Sequence, residues 1–203
     1  MKALQSVRDA YSSKAQQYID LVDGRWPDDE EDTTLVRRHL TGLTGPVLDL
    51  GCGPGHWTAL LQSWAAQVTG IDMVPEFIAH ARTTYPGSEF RLASMTELDV
   101  PDQSVAGTLS WYSTIHLPPV QLDRLLAEFR RILTPSGVLV VGFFDSEDEV
   151  AAFDHRVVTA YRWPIEVLVE HLSAAGFVEL ERRQHQVADR PDRIYAAVAA
   201  RAS

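Results

Sequence analysis

The chain of 203 residues holds one cysteine, Cys52. No internal disulfide is possible, which suits a reducing compartment. Lysine occurs only at Lys2 and Lys14, and the other 16 of its 18 basic residues are arginine. We read that arginine excess as a coding bias. The basic residues are outnumbered by 28 acidic ones, for a net charge of −10. A protein that neutralises phosphates shows the opposite balance, so no nucleic-acid partner is expected. The longest apolar run, GVLVVGFF over 137–144, is far short of the roughly 20 residues a spanning helix needs, so no membrane partner is expected either. The opening MKALQSVRDAY lacks the apolar centre of a secretion signal. The expected location is the cytoplasm. The seven histidines show no paired ligand spacing and no H-E-x-x-H, so no metal is expected. The G-x-S-x-G elbow of many hydrolases is also missing.

The remaining composition is that of one globular domain, 45% apolar and 23% charged. Residues 2–22 read as a helix, 23–34 as an acidic loop and 33–43 as a second helix. Strand and helix then alternate. PVLDL (46–50), QVTGID (67–72), SEFRLAS (88–94), VAGTLSWY (105–112) and GVLVVGFF (137–144) read as strands. HWTALLQSWA (56–65), PEFIAHARTTY (75–85) and PPVQLDRLLAEFRRIL (118–133) read as helices, the last with Leu122, Leu125, Leu126, Phe129, Ile132 and Leu133 at helical spacing. A polar insertion (145–163), a helix (164–176) and a strand pair (177–184 and 192–200) complete the chain. Alternation with apolar strands predicts an open α/β sheet, mostly parallel, with helices on both faces. Such sheets take ligands beyond the carboxyl ends of their central strands.

The sharpest motif is VLDLGCGPGHWT, Val47 to Thr58. An apolar strand enters a loop with Gly51, Gly53 and Gly55, and a helix follows. Asp72 ends the next strand, 21 residues after Gly51, where an acid can accept both hydroxyls of a ribose. A dinucleotide site wants G-x-G-x-x-G, but here the third glycine comes one position early and His56 stands in its place. Asp49 precedes the loop, where it would repel a pyrophosphate and attract an ammonium group. The pattern therefore favours a cofactor with a cationic amino-acid tail.

These residues resemble the class I S-adenosylmethionine-dependent methyltransferases, most closely the small bacterial proteins with LDLGCGPG. The resemblance runs roughly from Ala10 to Ala200 and is strongest from Val47 to Phe144. It is carried in order by the glycine loop, GIDMVPEFIAHAR (70–82), ASMTELDVPDQSVAG (93–107), LSWYSTIHLPP (109–119) and AEFRRILTPSGVLVVG (127–142).

The resemblance implies a Rossmann-like seven-stranded sheet with its last strand antiparallel. It implies one domain in four parts: an N-terminal lid (1–34), a cofactor-binding core (35–144), a substrate-side insertion (145–163) and a C-terminal helix with a strand pair (164–203). S-adenosylmethionine would be the cofactor and S-adenosylhomocysteine the product. Asp49 would face the methionine ammonium. Gly51, Cys52 and Gly53 would lie beneath the methionine and ribose, and Asp72 would take the ribose hydroxyls. Met73, Ser94 and Met95 would meet the adenine, while Trp111 and Tyr18 would sit beside the cofactor. His116 and Tyr112, after the fourth strand, are the catalytic candidates. Tyr11, Arg25, Arg156 and Arg162 are candidates for holding a small acceptor, the arginines suiting an anionic one. Metal-dependent relatives need acids at the fourth-strand exit, where Ser110, Trp111 and Tyr112 stand. The chain is expected to act as a monomer or homodimer. A nicotinamide-dependent oxidoreductase and a non-catalytic S-adenosylmethionine-binding protein remain open at this point.

Overall fold

The computed structural model describes residues 2–23, 30–65, 67–187 and 190–203. The first segment is two helices, α1 (Lys2–Ser13) and α2 (Ala15–Asp23), and not the single expected one. Ser12 and Ser13 favour caps over helix interiors, which places the break at Lys14. The third helix, α3 (Glu30–Leu40), starts and ends earlier than expected. Glu30, Glu31 and Asp32 form its first turn and Arg37 and Arg38 its last, matching the helix dipole at both ends.

Strand β1 (Val47–Leu50) is wholly buried and splits its side chains between two layers. Leu48 and Leu50 join one core and Val47 the other. Helix α4 (His56–Gln62) leads to β2 (Val68–Asp72), and α5 (Pro75–Thr84) leads to β3 (Glu89–Leu92). Next come β4 (Val105–Trp111), a short 3-10 turn, α6 (Leu122–Ile132) and β5 (Leu133–Asp145). Helix α6 buries Leu122, Leu125, Leu126, Phe129 and Ile132 along one stripe. Strand β5 begins earlier than the apolar run suggests, because Leu133 pairs with Val105 ahead of a register shift.

The insertion at 145–163 is not irregular. It forms β6 (Ala151–Phe153) and β7 (Ala160–Trp163), an antiparallel pair. Helix α7 (Ile165–Ala174) follows, then β8 (Phe177–Val187) and β9 (Arg190–Ala202). Strands β3-β2-β1-β4-β5 are parallel neighbours, β9 runs antiparallel beside β5, and β8 pairs with β9. Those seven strands are the expected sheet; the β6–β7 pair raises the total to nine. Strand β7 pairs with Phe144 and Asp145, just past Gly142, the last β5 residue paired to β4. The extra strands therefore roof the exit of β4. Among the described residues no helix is long and apolar enough to cross a membrane.

Candidate active site

The strand order reverses between β1 and β4, which opens a crevice at their carboxyl ends. Gly51 leaves β1 with φ 78°. A Cβ there would lie 2.3 Å from the Ser113 Cβ. Ser113 in turn donates to the Leu50 carbonyl at 2.6 Å. The missing side chain at Gly51 thus lets the two exits close on each other. Gly53 differs: its φ is 53° and a Cβ would meet nothing within 4 Å. It faces open space, a backbone cradle that a side chain would fill. Gly55 is packed against Ala81 and Phe90, away from that space.

Two buried acids flank the loop. Asp49 shares its face of β1 with Val47, toward α4, where Thr58 donates to it at 2.6 Å. Burial, with the charge of Asp72 beside it, pushes its pKa up to about 7 against the Thr58 hydrogen bond. Asp72 accepts from the Gly53 N–H at 2.9 Å and the Val74 N–H at 2.8 Å. It both pins the cradle and closes the turn into α5. Burial lifts it to about 6 against those bonds. Both carboxyls sit above the ordinary 3.8, so in the free chain they favour the fold when protonated. That contribution is complete below about pH 4 and lost as pH rises through 6 and 7. A cation seated between them would reverse the trend. Cys52, buried beside them, has its thiol pKa pushed well up, which makes it inert.

Two connected cavities open here. The smaller, about 90 Å³, is walled by Gly53, Asp72, Met73, Ser94, Met95 and Phe77, among others. It includes no lysine or arginine. Helix α1 lies across it through Leu4, Val7 and Tyr11. Small-molecule pockets run from roughly 300 Å³, well above this volume. The larger cavity, about 590 Å³, shares Tyr11, Tyr18, Gly51, Gly53, Trp111 and Tyr112 with the first and adds Asp49 and Cys52. Every cofactor-side residue expected from the sequence lies in one wall or the other. Trp111 packs on Trp57 at 5.1 Å between ring centres. Tyr112 adopts φ 51°, a left-handed turn that swings its ring toward Phe144 and Tyr195. That position makes Tyr112 an aromatic wall.

His116 donates from Nδ1 to the Thr159 carbonyl at 2.8 Å, on the connection between β6 and β7. A carbonyl only accepts, so the neutral ring carries its proton on Nδ1. Its Nε2 then accepts from the Tyr11 hydroxyl at 2.8 Å. Burial lowers the His116 pKa, which keeps the ring neutral. The sequence brought these two residues forward separately, and no local signal joins positions 105 apart. Lys14, in the turn after α1, donates to the Arg156 carbonyl at 2.8 Å, a second tie from the lid to the insertion.

The acceptor-side arginines divide. Arg25 lies outside the described residues. Arg156 lines the larger cavity. Arg162 does not: its guanidinium lies 4.6 Å over the Phe153 ring, in neither wall. Arg193 of β9, together with His155, His185 and Tyr195, completes that wall instead. Among the described residues no three metal-ligating side chains converge.

Residues 47–137 match a family described as a methyltransferase domain. A probable S-adenosylmethionine-dependent methyltransferase of Mycolicibacterium smegmatis is 34% identical over 47% of this chain and 36% of its own length. Trans-aconitate 2-methyltransferase of Escherichia coli is 40% identical over 49% of this chain and 39% of its own. The match thus spans well under half the length of these curated relatives. In shape, the chain follows Burkholderia thailandensis 1,6-didemethyltoxoflavin-N1-methyltransferase with a TM-score of 0.81 at 24% identity, over 100% of this chain and 89% of that one. That structure holds 1,6-didemethyltoxoflavin and S-adenosylhomocysteine. By its glycine loop, its sheet and these matches, the chain holds, over residues 47–137, a methyltransferase domain similar to that of S-adenosylmethionine-dependent methyltransferases.

Proposed function

We propose that the chain transfers a methyl group from S-adenosylmethionine to a small-molecule acceptor, at oxygen or nitrogen, by in-line displacement and without a metal. The observation that carries this reading is the open glycine cradle between two buried acids, Asp72 in a cavity walled by no lysine or arginine and Asp49 in the larger cavity beside it. Such a cleft repels a pyrophosphate and attracts a cationic tail. The aromatic rings of Tyr11, Tyr18, Phe77 and Trp111 around it suit a sulfonium as well. The cofactor supplies a methyl carbon made electrophilic by that sulfonium. The chain's own residues do the rest. Asp49 would face the ammonium end, the Gly51–Gly53 backbone would lie beneath, and Asp72 has lone pairs left that would take ribose hydroxyls. Met73, Ser94 and Met95 flank the adenine side. Names of relatives, trans-aconitate 2-methyltransferase and the toxoflavin enzyme among them, support a small acceptor.

Affinity tests this reading through Asp49. Between pH 6 and 8, S-adenosylhomocysteine should bind more tightly as Asp49 ionises, by up to about tenfold per unit below pH 7. Asp49→Asn should flatten that window in calorimetric titrations. An unchanged slope in the variant would remove Asp49 from the ammonium site.

His116 then serves as the final proton acceptor, through Tyr11. As an acceptor proton passes to the Tyr11 oxygen, the Tyr11 proton passes to Nε2. The imidazolium so formed keeps its Nδ1–H on Thr159. On a turned-over acceptor, Tyr11→Phe and His116→Gln should each lower kcat by about 10²-fold or more. The wild-type rate should rise with pH through a pKa below 6.5, the ordinary value for His116, and His116→Gln should lose that limb. Equal rates in all three proteins would reduce the pair to a structural clasp.

A further inference from the structure

The larger cavity carries more chemistry than methyl transfer requires. One side is aromatic: Tyr112, Phe144 and Tyr195 meet at 5.0 to 6.0 Å between ring centres. His185 stacks on Tyr195 at 5.3 Å and 21°. These rings pack on one another and line the cavity, an aromatic surface against which a flat molecule can lie. The same wall holds Arg156 and Arg193. Among the described residues neither has a carboxylate partner. Arg193 instead lies over the Phe144 and Phe153 rings, at 5.6 and 5.9 Å. The acids of this cavity are engaged elsewhere: Asp32 with Arg183, and Asp49 with Thr58 on the cofactor side.

His155 reports the local field. Its ring is 5.1 Å from that of His116, and its buried Nδ1 has no hydrogen-bond partner among the described residues. Burial first, and then the neighbouring His116, Arg193, Arg156 and Lys14, push its pKa down to about 4. Uncompensated cations beside a neutral, unsatisfied imidazole form a site for an anion that also offers a hydrogen-bonding atom.

We propose that the acceptor is a planar aromatic acid, its ring lying against the wall of Tyr112, Phe144 and Tyr195 and its anionic group held by Arg156 and Arg193. The proposal rests on the methyltransferase reading for the word acceptor, though not for the ligand class. It differs from the arginine set expected from the sequence, because β9 supplies Arg193 where Arg162 was expected.

Three small probes and one variant test it, on the whole chain saturated with S-adenosylhomocysteine. The probes are 2-naphthoate, its neutral analogue 2-naphthamide and the non-planar cyclohexanecarboxylate. Quenching of tryptophan fluorescence and calorimetry read binding. We expect 2-naphthoate to bind at least tenfold more tightly than either other probe. In Arg156→Gln/Arg193→Met, which keeps the stem over Phe144, the naphthoate and naphthamide affinities should converge. Its S-adenosylhomocysteine affinity should stay within about threefold, and an unchanged thermal midpoint would show that the fold survives. Equal binding of naphthoate and naphthamide by the wild type overturns the anion site. Equal binding of cyclohexanecarboxylate overturns the aromatic contact. An anion preference that persists in the variant overturns the two arginines, and binding of no probe overturns the ligand class. Failure of S-adenosylhomocysteine to bind the wild type would sink the cofactor reading instead, and naphthoate selectivity would still be read in its absence.

Discussion

Asp72→Ala should weaken S-adenosylhomocysteine binding by about 2 kcal/mol or more, roughly 30-fold, because hydrogen bonds to an ionised acceptor are lost. The expectation is firmer than a ribose contact alone would make it. Asp72 also fixes the Gly53 N–H at 2.9 Å and the Val74 N–H at 2.8 Å. Removing the carboxylate leaves both donors without their partner, so the cradle loosens as well as losing its ligand contact. The thermal midpoint of the free chain should move less than affinity does, because the buried carboxyl is itself strained at neutral pH. Asp72→Asn separates the two roles. One amide oxygen can still hold one backbone donor, while the charge is gone. Wild-type affinity in Asp72→Ala, measured by calorimetry at pH 7.5, would show that the nucleoside lies elsewhere.

The two glycines of the loop should part company on substitution. Gly51→Ala drives a Cβ to 2.3 Å from the Ser113 Cβ, at a φ of 78° that L-residues avoid. Overpacking of about 1–3 kcal/mol adds to left-handed strain of about 1–2 kcal/mol. In a domain of this size the midpoint should fall by roughly 10 °C. Gly53→Ala meets nothing within 4 Å. It pays only the strain, so its midpoint should fall by a few degrees. Yet its methyl group projects into the space where the backbone must meet a ligand. We expect it to cost at least about tenfold in S-adenosylhomocysteine affinity while the fold persists. Differential scanning calorimetry beside ligand titration checks both. A stable Gly51→Ala, or a Gly53→Ala that binds as the wild type does, would reverse the roles assigned to the two positions.

Much of this was legible in the sequence because the signals are local. Val47 to Thr58 spells strand, glycine loop and helix within twelve residues. Leu122 to Ile132 spells a helix by spacing alone. Asp49 and Asp72 were legible because each ends or nearly ends a strand that enters the crevice. What escaped depends on contacts between distant segments. The β6–β7 pair is three and four residues long, too short for alternation to stand out in a polar stretch. Arg193 carries no motif; its place in the cavity follows from the antiparallel register of β9, where Ile194 faces Asp145. Arg162 lies in the expected segment, but its guanidinium stacks on Phe153. The Tyr11–His116 bond joins the lid to the fourth-strand exit, which only the folded chain brings together. The helix break at Lys14 had a local hint in Ser12 and Ser13, weaker than the apolar stripe that argued for one helix.

The proposed function requires that two buried acids and an open glycine cradle select a cationic sulfur nucleotide over a pyrophosphate. Calorimetric titration of the purified chain with S-adenosylmethionine, S-adenosylhomocysteine and NADH, at pH 7.5, tests it most directly. We expect micromolar binding of the two sulfur nucleotides and no heat from NADH. Binding of NADH, or binding of neither class, would contradict it.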